Sequence, residues 1–317
     1  MAILIGGTGK AVPSKKVIND ALDKALDTND DWIRSHTGIG SRYIAQEGET
    51  SVSLGVQACK NALQRYSLLN SISPEQIDVI ICATATPDYS GFPSNACIIQ
   101  KHLGAVNAAC FDLSAACSGF IYALDTAASL MERHSWKYGL VVGTEDLSKV
   151  LDWTDRSTCV LFGDGSGAVL LENTFSPGGV GIGSVELGSD GTGDGELYID
   201  ENQHIRMNGR AVYNFAVKVI TETVQKLLEK EHLHIDDIDL IVCHQANQRI
   251  LAAAAKRLGF DFAKFVCNME EYGNTSAASI PITLTDLVEQ GKLRKGMTII
   301  TAGFGAGLTW GGCIIRF

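Results

Sequence analysis

A chain of 317 residues exceeds the roughly 250 to 300 at which one hydrophobic core stops growing, so two fused domains or a duplicated unit are expected. Hydrophobic residues make up 45% and charged ones only 20%, with 6 prolines, which argues against long disordered tails or linkers. A net charge of −10 and a pI near 5.2 disfavour nucleic acid as a bulk partner and require a local basic patch for any acidic one.

From the N-terminus, MAILIGGTGK carries no charged leader region, and its apolar run stops at a glycine pair, so a strand start is expected and not a signal peptide. GGTGKA lacks the spacer and the Ser or Thr after lysine of a phosphate loop. IDVIIC at 77–82 reads as a strand. VNAACFDL at 106–113 reads as a buried strand, after which Phe120, Ile121, Leu124, Ala128 and Met131 recur at helical spacing. Cys117 therefore falls near a helix N-terminus, where free N–H groups and the positive dipole end favour a thiolate. The plainer alternative is a small buried hydrophobe. YGLVVGTE at 138–145 reads as another strand, and CVLFGDGSGAVLLE at 159–172 as a hairpin across a glycine turn.

The glycines of that run lead into a strand, which does not fit a dinucleotide fingerprint, and Ser166 lacks the G-x-S-x-G setting of a hydrolase serine. His232 and His234 have no third ligand at metal spacing, so no metal site is expected. His244 follows the apolar strand IDLIVC at 238–243, and Asn274 stands in EYGNTSAAS just before a helix-like run, where a cap or turn residue is the ordinary reading. MTIITAGFGAGLTWGGCIIRF at 297–317 reads as a closing hairpin. No run approaches the ~18 apolar residues of a membrane span. Nine cysteines, never spaced CxxC, suggest free thiols in a reducing cytoplasm.

The chain also repeats itself. IDVIIC is echoed by IDLIVC at an offset of 161 residues, and SAAC at 114–117 by SAAS at 276–279 at an offset of 162. This pattern suggests an α/β duplication, with parallel sheets covered by helices, divided into halves 1–172 and 173–317. Ser279 is then the expected counterpart of Cys117. Cys117, His244 and Asn274 all stand at strand ends or helix starts of this frame, where they can converge.

DWIRSHTGI, FPSNACIIQ, DLSAACSGFIYAL, TDRSTCVLFGDGSGA, HQANQRI, GNTSAASIP and FGAGLTWG, in this order along the full length, resemble the condensing enzymes of the thiolase superfamily, most closely the β-ketoacyl-acyl carrier protein synthase III family. The resemblance implies the duplicated five-layered αβαβα fold, a homodimer in the cytoplasm, and neither metal nor bound organic cofactor. It implies that Cys117 accepts a short acyl group, acetyl foremost, from acyl-CoA. His244 and Asn274 would then donate hydrogen bonds while malonyl-acyl carrier protein loses carbon dioxide. Backbone N–H groups of Cys117 and Ala306 would hold the oxyanion. This reaction starts fatty acid synthesis. The Cys-His-Asn set differs from the Cys-His-His of elongating synthases, and the C-terminal hairpin lacks a thiolase's second cysteine.

Trp32 and Arg156 match CoA-binding positions at the mouth, with Arg249 joining them. His36 stands where an arginine is common, and Ala306 where glycine is common. Phe92 matches a ring that shortens the acyl pocket of the dimer partner. Arg249, Lys256 and Arg257 form a stripe suited to an acidic carrier protein, whereas Asn214 replaces a frequent lysine there. Related enzymes with the same trio make polyketide or quinolone-type products. A cysteine hydrolase shares the order Cys-His-Asn and the gap of 127 residues from Cys117 to His244, but its CG[SA]C[WY] signature is missing. A descendant that only binds the carrier protein would form no covalent adduct with acyl-CoA.

Overall fold

Two sheets of one design form the centre of the computed structural model, which describes residues 2–22, 26–67, 70–174 and 180–317. In chain order the elements are β1 (Ala2–Ala11), β2 (Lys15–Ile18), α1 (Asp30–Thr37), β3 (Ser41–Ile44), α2 (Ser51–Ser67), β4 (Val79–Ala83), α3 (Asn95–Leu103), β5 (Ala109–Leu113), α4 (Gly119–His134), β6 (Tyr138–Glu145), α5 (Arg156–Cys159) and β7 (Gly165–Thr174). There follow β8 (Gly181–Ser189), β9 (Leu197–Ile199), β10 (Ile205–Met207), α6 (Gly209–Lys230), β11 (Leu240–Cys243), α7 (Gln248–Leu258), α8 (Met269–Tyr272), α9 (Ser279–Glu289), β12 (Thr298–Gly305) and β13 (Thr309–Arg316). Among the described residues no helix is long and apolar enough to cross a membrane.

The first sheet runs β1-β7-β6-β4-β5, with β4 parallel to β5 and β6 and the remaining pairs antiparallel. The second runs β11-β12-β13-β8 with the same senses, and an isolated parallel bridge from Ile241 to Phe265 stands where β5 stands in the first. Strand side chains alternate between faces, so each sheet carries two cores. Ile80 and Cys82 pack outward with Ala58, Ala62 and Ile99 of α2 and α3. Val79 and Ile81 pack inward on Leu124 and Ala127 of α4, in one cluster with Ile280 and Leu284 of α9 and with Ile299 of the second sheet. Ile300 and Ile314 face outward onto Val217, Ile220 and Leu251 of α6 and α7. The result is five layers, α2/α3, sheet, α4/α9, sheet, α6/α7, the expected αβαβα order.

A pseudo-twofold axis passes between α4 and α9, and two short turns mark it. Ala116–Ser118 precedes α4 and Ser276–Ala278 precedes α9, each entered through a residue at positive φ, Ala116 at 46° and Ser276 at 47°. Central-strand glycines allow these turns to dock. A Cβ at Gly143 of β6 would lie 2.2 Å from the Ala277 carbonyl, and one at Gly303 of β12 would lie 3.2 Å from Ser118 Cα. These pairs make Ala277, and not Ser279, the counterpart of Cys117. Short motif matching slipped by two residues because both halves read Ser-Ala-Ala, while the backbone geometry aligns the turns themselves.

Three other expectations are corrected. Residues 159–172 form no hairpin: Cys159 ends α5, Leu161 accepts the Asn274 amide at 2.8 Å, and the single strand β7 pairs with β6 and β1. Val160 and Phe162 are buried and Leu161 is half-buried, and the Leu161 carbonyl and Gly163 amide are satisfied by Asn274 of the other half. β5 is an edge strand, half-exposed along Cys110–Leu113 and not fully buried. The boundary expected at 172 falls within β7, which runs to Thr174. GGTGKA lies inside β1, where Gly7 and Gly9 let the strand approach the α2 backbone, since Cβ atoms there would meet Ala62 O at 2.4 Å and Ala58 O at 2.2 Å.

Candidate active site

Cys117 occupies the turn that enters α4, at the seam between the halves. The turn is fixed by Ser118, whose Oγ donates to the Ala115 carbonyl at 2.8 Å and meets Thr309 Oγ1 of β13 at 2.7 Å. A cavity of about 120 Å³ holds Cys117, His244 and Asn274 in one wall set with Leu161, Phe162 and Phe304. A second, of about 270 Å³, shares Cys117 and Phe162 and adds Ser276 and Ala306. The structure thus brings the three predicted side chains together, with Ala306 on the neighbouring wall.

His244 leaves the carboxyl end of β11, held there by its amide donating to the Ala302 carbonyl of β12 at 2.8 Å. Its Nδ1 lies 3.0 Å from Ser279 Oγ, which leaves Nε2 for the cavity. The Phe304 ring meets the imidazole edge to face at a centroid distance of 5.2 Å. Burial drives the imidazole pKa down to about 3, so the ring is neutral at physiological pH. A hydrogen-bond donor suits such a ring better than an acid does. Asn274 is fixed by both backbone groups, N to Leu161 O and O to Gly163 N, and its Oδ1 accepts the Ser276 amide at 2.9 Å. Its Nδ2 is then the group left for the cavity.

Burial also pushes the Cys117 thiol up to about 12, against a helping contact from Ser276. Relative to an ordinary thiol near 9 that makes ionisation roughly 4 kcal/mol harder. A helix end contributes at most ~2 kcal/mol in a partly buried site, so the thiolate expected from the helix position alone is not the resting state. The thiol must lose its proton as it reacts.

Trp32 and His36 of α1, Arg156 of α5 and Arg249 of α7 line one cavity of about 450 Å³. It shares Leu161, Met207, Gly209, Tyr213 and Asn247 with the Cys117 cavity, so the two are continuous. Asn29 caps α1 through the Trp32 amide at 2.8 Å. The Arg156 guanidinium lies 5.0 Å from the Trp32 ring centre, and the His36 ring stacks on Trp32 at 4.3 Å with Nδ1 2.7 Å from the Trp32 carbonyl. Asn247 Nδ2 donates to the His36 carbonyl at 3.1 Å and ties this mouth to α7.

Arg249, Lys256 and Arg257 are exposed, and seven- and eight-residue spacings put them on one side of α7. Asn214 is exposed on α6. Phe92 does not line the Cys117 cavities of its own chain and is 88% exposed. Ser166 is buried, with Oγ donating to Gly143 O at 3.2 Å. His234 caps a short turn at the surface, and among the described residues no group of three His, Cys, Asp or Glu is placed to hold a metal ion.

Sequence reasoning missed Phe162, Phe304 and Ser276, and took Ser279 only as the counterpart of Cys117. The cluster of hydroxyls in GNTSAAS was the one available signal, and it gave no partner for any of them. Ser279 Oγ lies 3.0 Å from His244 Nδ1 and 2.8 Å from Ser276 O, and its one proton, given to Nδ1, keeps Nε2 as the N–H donor of the neutral ring. Ser279→Ala frees the ring and is expected to slow condensation about tenfold, with acyl transfer to Cys117 unchanged in single-turnover assays.

Residues 111–191 match the family profile described as 3-oxoacyl-[acyl-carrier-protein (ACP)] synthase III, and residues 228–317 match that of its C-terminal region. The chain is 48% identical to a β-ketoacyl-[acyl-carrier-protein] synthase III of Clostridium acetobutylicum, over 100% of this chain and 99% of that one. Among solved structures it is similar to the 3-oxoacyl-[acyl-carrier-protein] synthase III of Aquifex aeolicus, with TM-score 0.94, 42% identity, and coverage of 100% and 99% of the two chains. A priming β-ketosynthase from a polyketide biosynthetic pathway matches with TM-score 0.92 and 35% identity, over 99% of this chain and 96% of that one.

Proposed function

The chain belongs to the 3-oxoacyl-[acyl-carrier-protein] synthase III family, and from that premise we propose that it condenses a short acyl-CoA, acetyl-CoA foremost, with malonyl-acyl carrier protein, releasing carbon dioxide, at the step that starts fatty acid synthesis. The observation that supports this reading most is a single chamber holding Cys117, His244 and Asn274, continuous with a mouth of Trp32, His36, Arg156 and Arg249. Cationic groups beside an aromatic ring suit the phosphates and adenine of CoA.

The Cys117 sulfur attacks the thioester carbon, and the acyl group moves to the enzyme as CoA departs. Backbone N–H groups of Cys117 and Ala306 stabilise the oxyanion. Malonyl thioester then loses carbon dioxide while His244 Nε2 and Asn274 Nδ2 donate to the thioester oxygen, where negative charge develops. The carbanion attacks the acyl-enzyme and frees the β-ketoacyl product. A thiol and fixed donors supply the nucleophile and the charge stabilisation, so the reaction is read as needing no metal or bound organic cofactor.

The basic side of α7, Arg249 with Lys256 and Arg257, is the proposed dock for the acidic carrier protein. A homodimer is supported by the open edge of β5, with Phe92 88% and Val106 71% exposed near it. Phe92 would then close the acyl pocket of the neighbouring protomer. The unpaired state of all nine cysteines supports a cytoplasmic setting.

Intact-mass spectrometry after exposure to a panel of acyl-CoAs tests the reading: one acetyl group on the wild-type protein supports it, and no adduct with any member overturns it. The similarity to a priming β-ketosynthase favours a second reading, a polyketide starter reaction. Preference for a longer acyl-CoA in the same panel would select that one. Trp32→Ala is expected to raise KM for acetyl-CoA about tenfold at nearly unchanged kcat, as loss of an aromatic stack does in steady-state assays.

A further inference from the structure

Glu145 ends β6 fully buried, and among the described residues no Lys, Arg or His forms an ion pair with it. Burying a carboxyl group is costly unless donors meet it, and segment 84–86, just after β4, supplies them. Glu145 Oε2 accepts from the amides of Ala85 at 3.0 Å and Thr86 at 3.2 Å and from the hydroxyls of Thr86 at 2.7 Å and Thr84 at 3.3 Å. The Thr86 hydroxyl also accepts the Asp146 amide at 2.8 Å, and Lys149 Nζ donates to the Thr86 and Pro87 carbonyls at 3.1 and 3.2 Å. Oε1 receives a long bond of 3.4 Å from the Ala277 amide, which belongs to the other half.

Both ends of this brace reach one chamber. Ala85 and Ser276, the residue before Ala277, line the cavity of about 270 Å³ that holds Cys117 and Ala306, and Leu147, two residues beyond Glu145, lines it too. Glu145 itself is not in that wall, so it acts through the wall residues and not on a substrate. Strand ending alone does not call for a carboxylate. Gly143 and Gly303 are matched positions of the two halves, and two residues on, Glu145 and Gly305 are the last residues of β6 and β12. A Cβ on Gly305 would lie 2.7 Å from the Cys117 amide nitrogen. The glycine thus leaves open beside Cys117 the place that the carboxylate fills beside Ala277.

We propose that Glu145 is a positioning residue for acyl-chain length: it braces segment 84–86 against Ala277, fixes the separation of the Ala85 and Ser276 walls, and so keeps longer acyl groups out of the chamber. The inference rests on the reading of Cys117 as the acyl carrier, with its acyl group in this chamber. With the brace cut, segment 84–86 keeps its bonds to Lys149 and loses its tie to the other half, so the Ala85 wall can yield to a longer chain. Glutamine at position 145 cuts it at one end. Its oxygen can still take the donors of segment 84–86, but its NH2 group then faces the Ala277 N–H, donor against donor. Valine at position 86 cuts the other end, since it lacks the hydroxyl that makes the 2.7 Å bond.

Rapid-quench rates of Cys117 acylation by acetyl-CoA through decanoyl-CoA, on wild-type protein, Glu145→Gln and Thr86→Val, test the role. In the wild type, a chain two carbons beyond the preferred one is expected to react at least about tenfold more slowly, as extra methylenes in a closed pocket do. In both variants the rate for that longer chain, relative to the preferred one, is expected to rise about tenfold. A merely structural loss lowers every rate by one factor. A chain-length profile of unchanged shape in Glu145→Gln, at equal or uniformly lowered rate, overturns the positioning role. Should that variant not fold, the same outcome in Thr86→Val overturns it. Wild-type protein that takes up no acyl group overturns the acyl-carrier reading itself, and the positioning role with it.

Discussion

Cys117→Ala is expected to take up no acyl group from acetyl-CoA and to lose condensation by a factor on the order of 10⁴ or more, since no other group can carry the acyl chain. The variant should fold, because the pseudo-twofold counterpart of Cys117 is Ala277, in a turn of the same backbone shape. Its malonyl decarboxylation should persist, as His244 and Asn274 are untouched. Intact mass after acetyl-CoA, together with carbon dioxide release from malonyl-acyl carrier protein, reads both halves of the expectation. Acetyl label on this variant would place the nucleophile on another residue.

Asn274→Asp and His244→Ala are expected to reverse that pattern. Each should remain acylated by acetyl-CoA, yet lose about 100- to 1000-fold in decarboxylation and condensation, as removal of one preorganised donor typically does. Aspartate keeps the acceptor for the Ser276 amide but lacks the N–H, so it separates the donor from the scaffold. Unchanged decarboxylation in Asn274→Asp would refute the donor role. Because burial holds His244 near 3, the wild-type decarboxylation rate should not drop as pH falls through about 6.5, the ordinary histidine value. Stability follows the same sign. The folded ring resists a proton that the unfolded chain binds, so its contribution is full above about 6.5 and is lost progressively as pH falls toward about 3.

Much of this site was legible in the sequence because its key positions sit where local signals are strongest. IDLIVC ends at Cys243 and so puts His244 at the carboxyl end of a strand, and the helical spacing after Cys117 places it at a helix start. Trp32, His36, Arg156 and Arg249 carried no local periodicity that joins them, and only the family resemblance grouped what the fold gathers at one mouth. Residues 159–172 misled because a run of apolar residues around glycines satisfies a hairpin pattern equally well when it is buried between two sheets.

The sequence by itself determined the duplicated α/β plan, the alternation that gives each sheet two covered faces, and the family, because each depends on residues close together in the chain. Tertiary structure alone decided that Ala277 mirrors Cys117, that Ser279 orients His244, and that the buried Glu145 carboxylate meets the Ala277 amide. Those relations join segments as many as 160 positions apart through burial and single hydrogen bonds, which leave no period or spacing in the sequence. The protonation states of Cys117 and His244 belong to the same class: burial sets them, and burial exists only after the two halves have closed on each other.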